Sequence, residues 1–143
     1  MIYTELTKRA LLLSFEAHKD QMDKSGMPYV YHPFHLAEQM TDEYTTVVAL
    51  LHDVVEDTDY TLSDIRDMGF PDEVVEALSY MTHDDEVPYM EYVAKIKENP
   101  IARAVKIADL LHNSDLTRLD APNEAAYKRA LKYKEALLLL GAE

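Results

Sequence analysis

Apolar residues recur along this chain at intervals of three and four, and the runs that carry them stop at proline, glycine or acidic turn residues. That is the period of an α-helix; strands alternate. The spacing predicts a first amphipathic helix over roughly Thr4 to Met22, closed by the turn residues Asp23 to Gly26. A short extended piece, Pro28 to His32, follows. Pro33 suits the first turn of a helix reaching Met40, and since the residue before a proline is disfavoured in the α region, His32 is expected to be extended at that entrance. Further helices are predicted from about Asp42 to Val55, Leu62 to Met68, Asp72 to Met81 and Val87 to Glu98, with Asp57 to Tyr60 as a loop. Asn99 and Pro100 open a helix through about Asn113, and Pro122 opens a last one that stops at Gly141. With only three glycines in 143 residues, the chain lacks the turn residues of a β-rich domain. The expected class is all-α.

Two of these helices carry two faces each. In VVALLHDVVEDT, residues Val47, Leu50, Leu51, Val54 and Val55 form a core stripe, while Ala49, His52, Asp53 and Glu56 fall on a second stripe with Asp57 one turn beyond Asp53. Clustering three acids and an imidazole within two turns is costly unless a cation or a shared proton relieves the repulsion. A divalent metal does this directly; a solvated helix end is the plainer alternative. In ARAVKIADLLHN, residues Ala104, Ile107, Ala108 and Leu111 are the expected core stripe, and Lys106, Asp109 and Asn113 share the neighbouring face. Asp109 would supply a further ligand. In KSGMPYVYHP, His32 is pinned by Pro33 and is a third candidate beside a plain structural role.

Composition narrows the chemistry. The chain has no cysteine, which removes disulfides, thiolate metal sites and cysteine nucleophiles, so a metal would be held by imidazole and carboxylate. A formal net charge of −13 disfavours nucleic acid and anionic lipid as partners. No apolar run in the opening segment is long enough to span a bilayer, and the expectation is a cytoplasmic, membrane-free protein of one domain, residues 1–143.

Taken together, a histidine in a PY-x-x-HP context, then HDVVEDT, then AD-x-LHN resembles the HD-domain metal-dependent phosphohydrolases. More narrowly, it is similar to the hydrolase domain of RelA/SpoT-type enzymes and their stand-alone small alarmone hydrolases. The resemblance runs from Ala17 to about Leu119 and implies a single helical HD-domain bundle without a synthetase domain. It makes His32, His52, Asp53 and Asp109 the metal ligands and Glu56 and Asp57 the catalytic acids. Lys24, Ser25 and Asn113 match positions lining the nucleotide site. The metal it implies is Mn2+; the ligand chemistry by itself also suits Fe, Co or Zn. The implied reaction releases pyrophosphate from guanosine 3′,5′-bis(diphosphate), a small nucleotide, by attack of a metal-bound water. Two other readings stand beside it: the same chemistry on a different nucleotide or phosphate ester, and a non-catalytic metal- or nucleotide-binding regulatory module.

Two positions depart from the resemblance. Asp23 stands where the family has arginine, and Leu110 where it has arginine or lysine, so two cations are missing from the expected site. Elsewhere, His18 and His35 read as packed or surface residues, His112 as a partner of a ligand, and His83 as part of a solvated loop. Tyr29, Tyr31, Tyr80 and Tyr133 read as core. The ALLLLG ending reads as a last core turn, with the dimer face of a homo-oligomer as the alternative.

Overall fold

Side-chain caps set most of the helix starts in the computed structural model, which describes residues 1–142. Thr4 accepts from the Thr7 amide at 3.1 Å, Asp42 from Thr45 at 2.9 Å, Asn99 from Ala102 at 3.0 Å and Asn123 from Ala126 at 2.9 Å. Each satisfies a donor that the first turn leaves free. Among the described residues the helices are α1 (Glu5–His18), α2 (Tyr31–Glu38), α3 (Glu43–Asp57), α4 (Leu62–Asp67), α5 (Asp72–Met81), α6 (Tyr89–Ile96), α7 (Pro100–Asn113) and α8 (Glu124–Leu139). One 3-10 turn, Leu116–Arg118, links the last two, and no strand is present among the described residues.

The all-α expectation holds, with several boundaries corrected. Helix α1 stops at His18, because Met22 instead pairs with Pro28 in an isolated antiparallel bridge that closes the Asp23–Gly26 turn. His32 is not extended. The amides of Tyr31 and His32 donate back to Pro28 and Tyr29, winding the chain into helix early, and Pro33 sits in the first turn where its missing N–H costs nothing. Helix α3 runs two residues past Val55 to Asp57, so Asp57 belongs to the helix. Helix α8 starts after Asn123 rather than at Pro122, and Gly141, at φ +80°, ends the chain's last turn in a conformation that favours glycine.

Helix α3 is the centre of the molecule and packs against α1, α2, α5 and α7. Val47 through Leu51 and Val54 have no exposed surface, so the helix is enclosed well beyond the single stripe its pattern suggests. Each fully buried Val or Leu of this kind stabilises by about 1.5–3 kcal/mol. In α7 the expected stripe is displaced: Leu111 is 51 % exposed, whereas Val105, Ala108, Asp109 and His112 face inward and Leu110 is buried in the core. At the chain's end Ala136 and Leu140 are core while Leu138 and Leu139 are exposed. Tyr31 is exposed as well, against the expectation of a core role. No helix among the described residues is long and apolar enough to cross a membrane.

Candidate functional site

Helices α2, α3 and α7 meet at one buried polar cluster, to which each contributes a side chain already singled out by its sequence context. His32 comes from the first turn of α2, His52 and Asp53 from α3, and Asp109 from α7. Ligand-type atoms of His32, His52 and Asp109 all lie within 4.8 Å of one another, and the three residues are buried. Asp53 lies beside them, with its Oδ2 3.1 Å from His52 Nε2 and 3.8 Å from His32 Nε2.

His52 shows which charge the cluster favours. Its Nδ1 donates to the Ala49 carbonyl at 2.7 Å, so in the neutral ring Nε2 is a lone pair. That atom is buried without a hydrogen-bond partner and faces two carboxylate oxygens, Asp53 Oδ2 and Asp109 Oδ1, the latter at 3.5 Å. Only a positive charge reconciles lone pairs aimed at one another. Burial alone would lower the His52 pKa, but Asp53 and Asp109 overcome it and hold the ring's pKa well above the ordinary histidine value. The same geometry suits a divalent cation held by the two imidazoles and Asp109, with Asp53 adjacent.

The surrounding bonds orient these donors. His32 Nε2 is 2.8 Å from Asp109 Oδ1, and its Nδ1 is 2.7 Å from His112 Nδ1. Burial first, with Arg118 and His32 adding to it, lowers the His112 pKa to about 4, so His112 is neutral and one of the two facing Nδ1 atoms donates to the other. With the hydrogen on His32 Nδ1, its Nε2 presents a lone pair toward the cluster, the usual arrangement behind a ligating histidine. Asp109 Oδ2 accepts from Lys106 Nζ at 3.0 Å and Oδ1 from Asn113 Nδ2 at 3.1 Å. Lys106 is itself nearly buried between Asp109 and the rings of Tyr89 and Tyr92.

Glu56 and Asp57 end α3 on the open side of the cluster. Both are exposed, and partial burial of their carboxyl groups followed by neighbouring carboxylates raises their pKa values. The Glu56 carboxylate accepts from the His83 amide at 3.2 Å. Asp57 accepts from the Tyr29 hydroxyl at 3.2 Å, and the same hydroxyl lies 2.5 Å from Asp53 Oδ2. Tyr29 thus bridges a candidate ligand and a candidate acid, a role that reading it as core misses; its place in the PY-x-x-HP string was the available signal.

A cavity of about 360 Å³ adjoins the cluster at His32 and Tyr29, and Lys24, Ser25 and Asn113 all line it. Arg118 and Arg129 line it too, and nothing in their sequence spacing singled them out. Ser25 is engaged by Asp23, whose Oδ1 accepts the Ser25 hydroxyl at 2.7 Å. Leu110, although its neighbours Asp109 and Asn113 face the site, turns into the core, so a cation at that position would not reach this cavity without moving the helix. His18 is fully buried against Tyr29, His35 packs on His112, and His83 stacks on Tyr92.

The chain is 38% identical over 120 residues to a guanosine-3′,5′-bis(diphosphate) 3′-pyrophosphohydrolase of Mus musculus, covering 73% of this chain and 66% of that protein. It is 34% identical over 136 residues to a probable GTP pyrophosphokinase of Mycobacterium leprae, covering 86% of this chain and 17% of the relative. To a guanosine-3′,5′-bis(diphosphate) 3′-pyrophosphohydrolase of Aquifex aeolicus it is 32% identical over 123 residues, 78% of this chain and 18% of the relative. The chain therefore spans about a sixth of the length of these two bacterial relatives. A solved structure of a metazoan ortholog of SpoT, described as hydrolysing ppGpp, superposes with a TM-score of 0.76 at 26% identity, over 98% of this chain and 88% of that one. No family model matches.

Proposed function

The chain belongs to the HD-domain phosphohydrolases, beside the RelA/SpoT-type hydrolases, and on that premise we propose that it is a guanosine 3′,5′-bis(diphosphate) 3′-pyrophosphohydrolase. One observation carries the reading: His32, His52 and Asp109 clustered with an unpartnered His52 Nε2 and Asp53 beside them, flanked by two carboxylates of raised pKa and adjoining a cavity lined by cations. His32, His52, Asp53 and Asp109 would hold the metal, and manganese suits this carboxylate-rich set. When bound, the metal supplies Lewis-acid polarisation of a phosphoryl oxygen and acidifies water.

The chain's own groups do the rest. Glu56 or Asp57 accepts the proton of the attacking water, which its raised pKa favours, and the other carboxylate orients the attack. The water oxygen bonds to the phosphorus attached at the 3′ position, the bond from that phosphorus to the 3′ oxygen breaks, and the oxygen takes up a proton. Pyrophosphate and the nucleoside 5′-diphosphate leave. Lys106 and Asn113 hold Asp109 in place, while Tyr29 holds Asp53 and Asp57. Lys24 offers an ammonium to a phosphate in the cavity. No covalent intermediate is required.

Purified protein supplied with Mn2+ is expected to release one pyrophosphate per guanosine 3′,5′-bis(diphosphate), and His52→Ala or Asp109→Ala to abolish the release. A wild-type protein inert on this nucleotide but active on another phosphate ester would replace the substrate assignment. Asp23 favours including other nucleotides in that screen, because it removes an arginine that the family places in the nucleotide site.

A further inference from the structure

The carboxylate at position 23 leaves the cavity with a guanidinium after all, delivered from a segment distant in sequence. Asp23 Oδ2 is 3.4 Å from Arg118 Nη2, across 95 residues of sequence. Arg118 Nη1 donates at 2.9 Å to the carbonyl of His112, in the last turn of α7. A carboxylate and the electronegative end of a helix thus hold one planar cation, and both clamp residues are themselves largely shielded, at 14% and 22% side-chain exposure for Asp23 and Arg118. Asp23 is fixed in turn, since its Oδ1 accepts from Ser25 N, Ser25 Oγ and Met27 N at 2.9, 2.7 and 3.0 Å. These contacts use two of the five guanidinium donors, and Arg118 lines the cavity with Lys24.

We propose that Arg118, clamped by Asp23, is a specificity-determining residue that binds a substrate phosphate other than the one that reacts. The inference rests on the hydrolase reading. His112 separates Arg118 from the metal cluster: its ring meets His32, and its carbonyl takes Arg118. The guanidinium is therefore placed for a second anionic group, on a nucleotide the 5′-diphosphate, and not for the phosphate at the metal. Its rigid fork suits phosphate oxygens in a way a free lysine does not. In a chain of net charge −13, such a local cation adds to Lys24 and Arg129 in offsetting the repulsion a polyanion meets.

The test compares kcat and KM of metal-loaded wild type, Arg118→Ala, Arg118→Lys and Asp23→Asn on guanosine 3′,5′-bis(diphosphate) and on guanosine 3′-diphosphate, which has no 5′ phosphates. Arg118→Ala is expected to raise KM roughly tenfold on the first with kcat little changed, and to leave KM unaltered on the second. Arg118→Lys should recover part of the loss. Asp23→Asn, which keeps the arginine and frees it, should raise KM by a smaller factor in the same direction. An unchanged KM, or an equal rise on both substrates, overturns the proposal. Equilibrium binding of GDP to the same variants stands apart from turnover. If wild type releases no pyrophosphate the hydrolase reading fails, while weaker GDP binding by Arg118→Ala still supports Arg118 as the phosphate ligand. Absent GDP binding, or binding unaffected by Arg118→Ala, overturns it.

Discussion

A single hydroxyl, that of Tyr29, stands between Asp53 and Asp57, and burial followed by the Asp53 charge pushes its pKa far up, so it remains a donor. Tyr29→Phe removes the donor and leaves two carboxylates facing each other. Activity is expected to fall about ten- to hundredfold, as for other groups that orient metal ligands, with metal content measured alongside to locate the loss. Glu56 and Asp57 lead to a pH statement. Both carboxylates have raised pKa values in the folded protein, so the folded state holds these protons more readily than the unfolded chain does. Ionising them costs stability as pH rises past the ordinary carboxylate value of about 4. Asp57→Asn should therefore raise the Tm of metal-free protein at neutral pH and lose that advantage in acid, while cutting kcat by roughly 10²–10⁴. In the wild type the acid limb of the pH–rate profile should sit above the ordinary carboxylate range. A limb near pH 4, or an Asp57→Asn protein that melts earlier at neutral pH, would contradict this. At this scale the sequence was informative wherever residue type and local string coincide, as in HDVVEDT. It was silent on Arg118, whose meaning arises only when a residue 95 positions away folds against it.

Helix α7 shows where pattern reading fails and why. Assigning apolar residues to the inside puts Ala104, Ile107, Ala108 and Leu111 in the core; Ala108 is there and Ile107 packs against it, but Leu111 is exposed and the buried side also carries Asp109 and His112. The polar residues are inside because they belong to the cluster with His32, and their placement rotates the helix so that Leu111 is exposed. The buried polar cluster thereby overrides the hydrophobic period. The two registers make opposite forecasts. Leu111→Lys should change stability by no more than about 0.5 kcal/mol, as at ordinary surface positions. Leu110→Ala should cost roughly 2–5 kcal/mol in denaturant unfolding. Leu110→Arg, which restores the family's basic residue, should destabilise rather than add a substrate contact. If Leu111→Lys proves the costly change, the observed register is wrong. Helix α3 was more legible because its apolar residues and its proposed ligands both follow from one string. Its nearly complete enclosure was not, since that depends on α1, α2, α5 and α7 packing around it. The early winding of α2 was hidden likewise, because turn bonds from Pro28 and Tyr29 outweigh the local effect of Pro33 on His32.

Across the whole molecule, the proposed ligands lie on three helices that are distant in sequence and meet at α3: His32 on α2, His52 and Asp53 on α3, Asp109 on α7. A cation held by all four would cross-link the helices around the core and remove the conflict between the His52 lone pair and two carboxylates. In a protein with 27 acidic against 14 basic residues, it would also offset part of the internal repulsion. Binding to the folded state alone then contributes to stability by mass action, about 2.7 kcal/mol at a free metal concentration 100 times Kd. For a chain of this size that corresponds to a rise in Tm of roughly 5–10 °C. Thermal melts of protein stripped by chelator and then titrated with Mn2+ should show that rise. His52→Ala and Asp109→Ala should melt at temperatures that metal no longer shifts. Lys106→Met separates the parts: without its ammonium Asp109 keeps both oxygens for other partners, so the metal-free form should lose stability while much of the metal-induced rise is retained. Identical melting with and without Mn2+ in the wild type would remove the metal from the cluster, and with it the basis for treating these four residues as ligands.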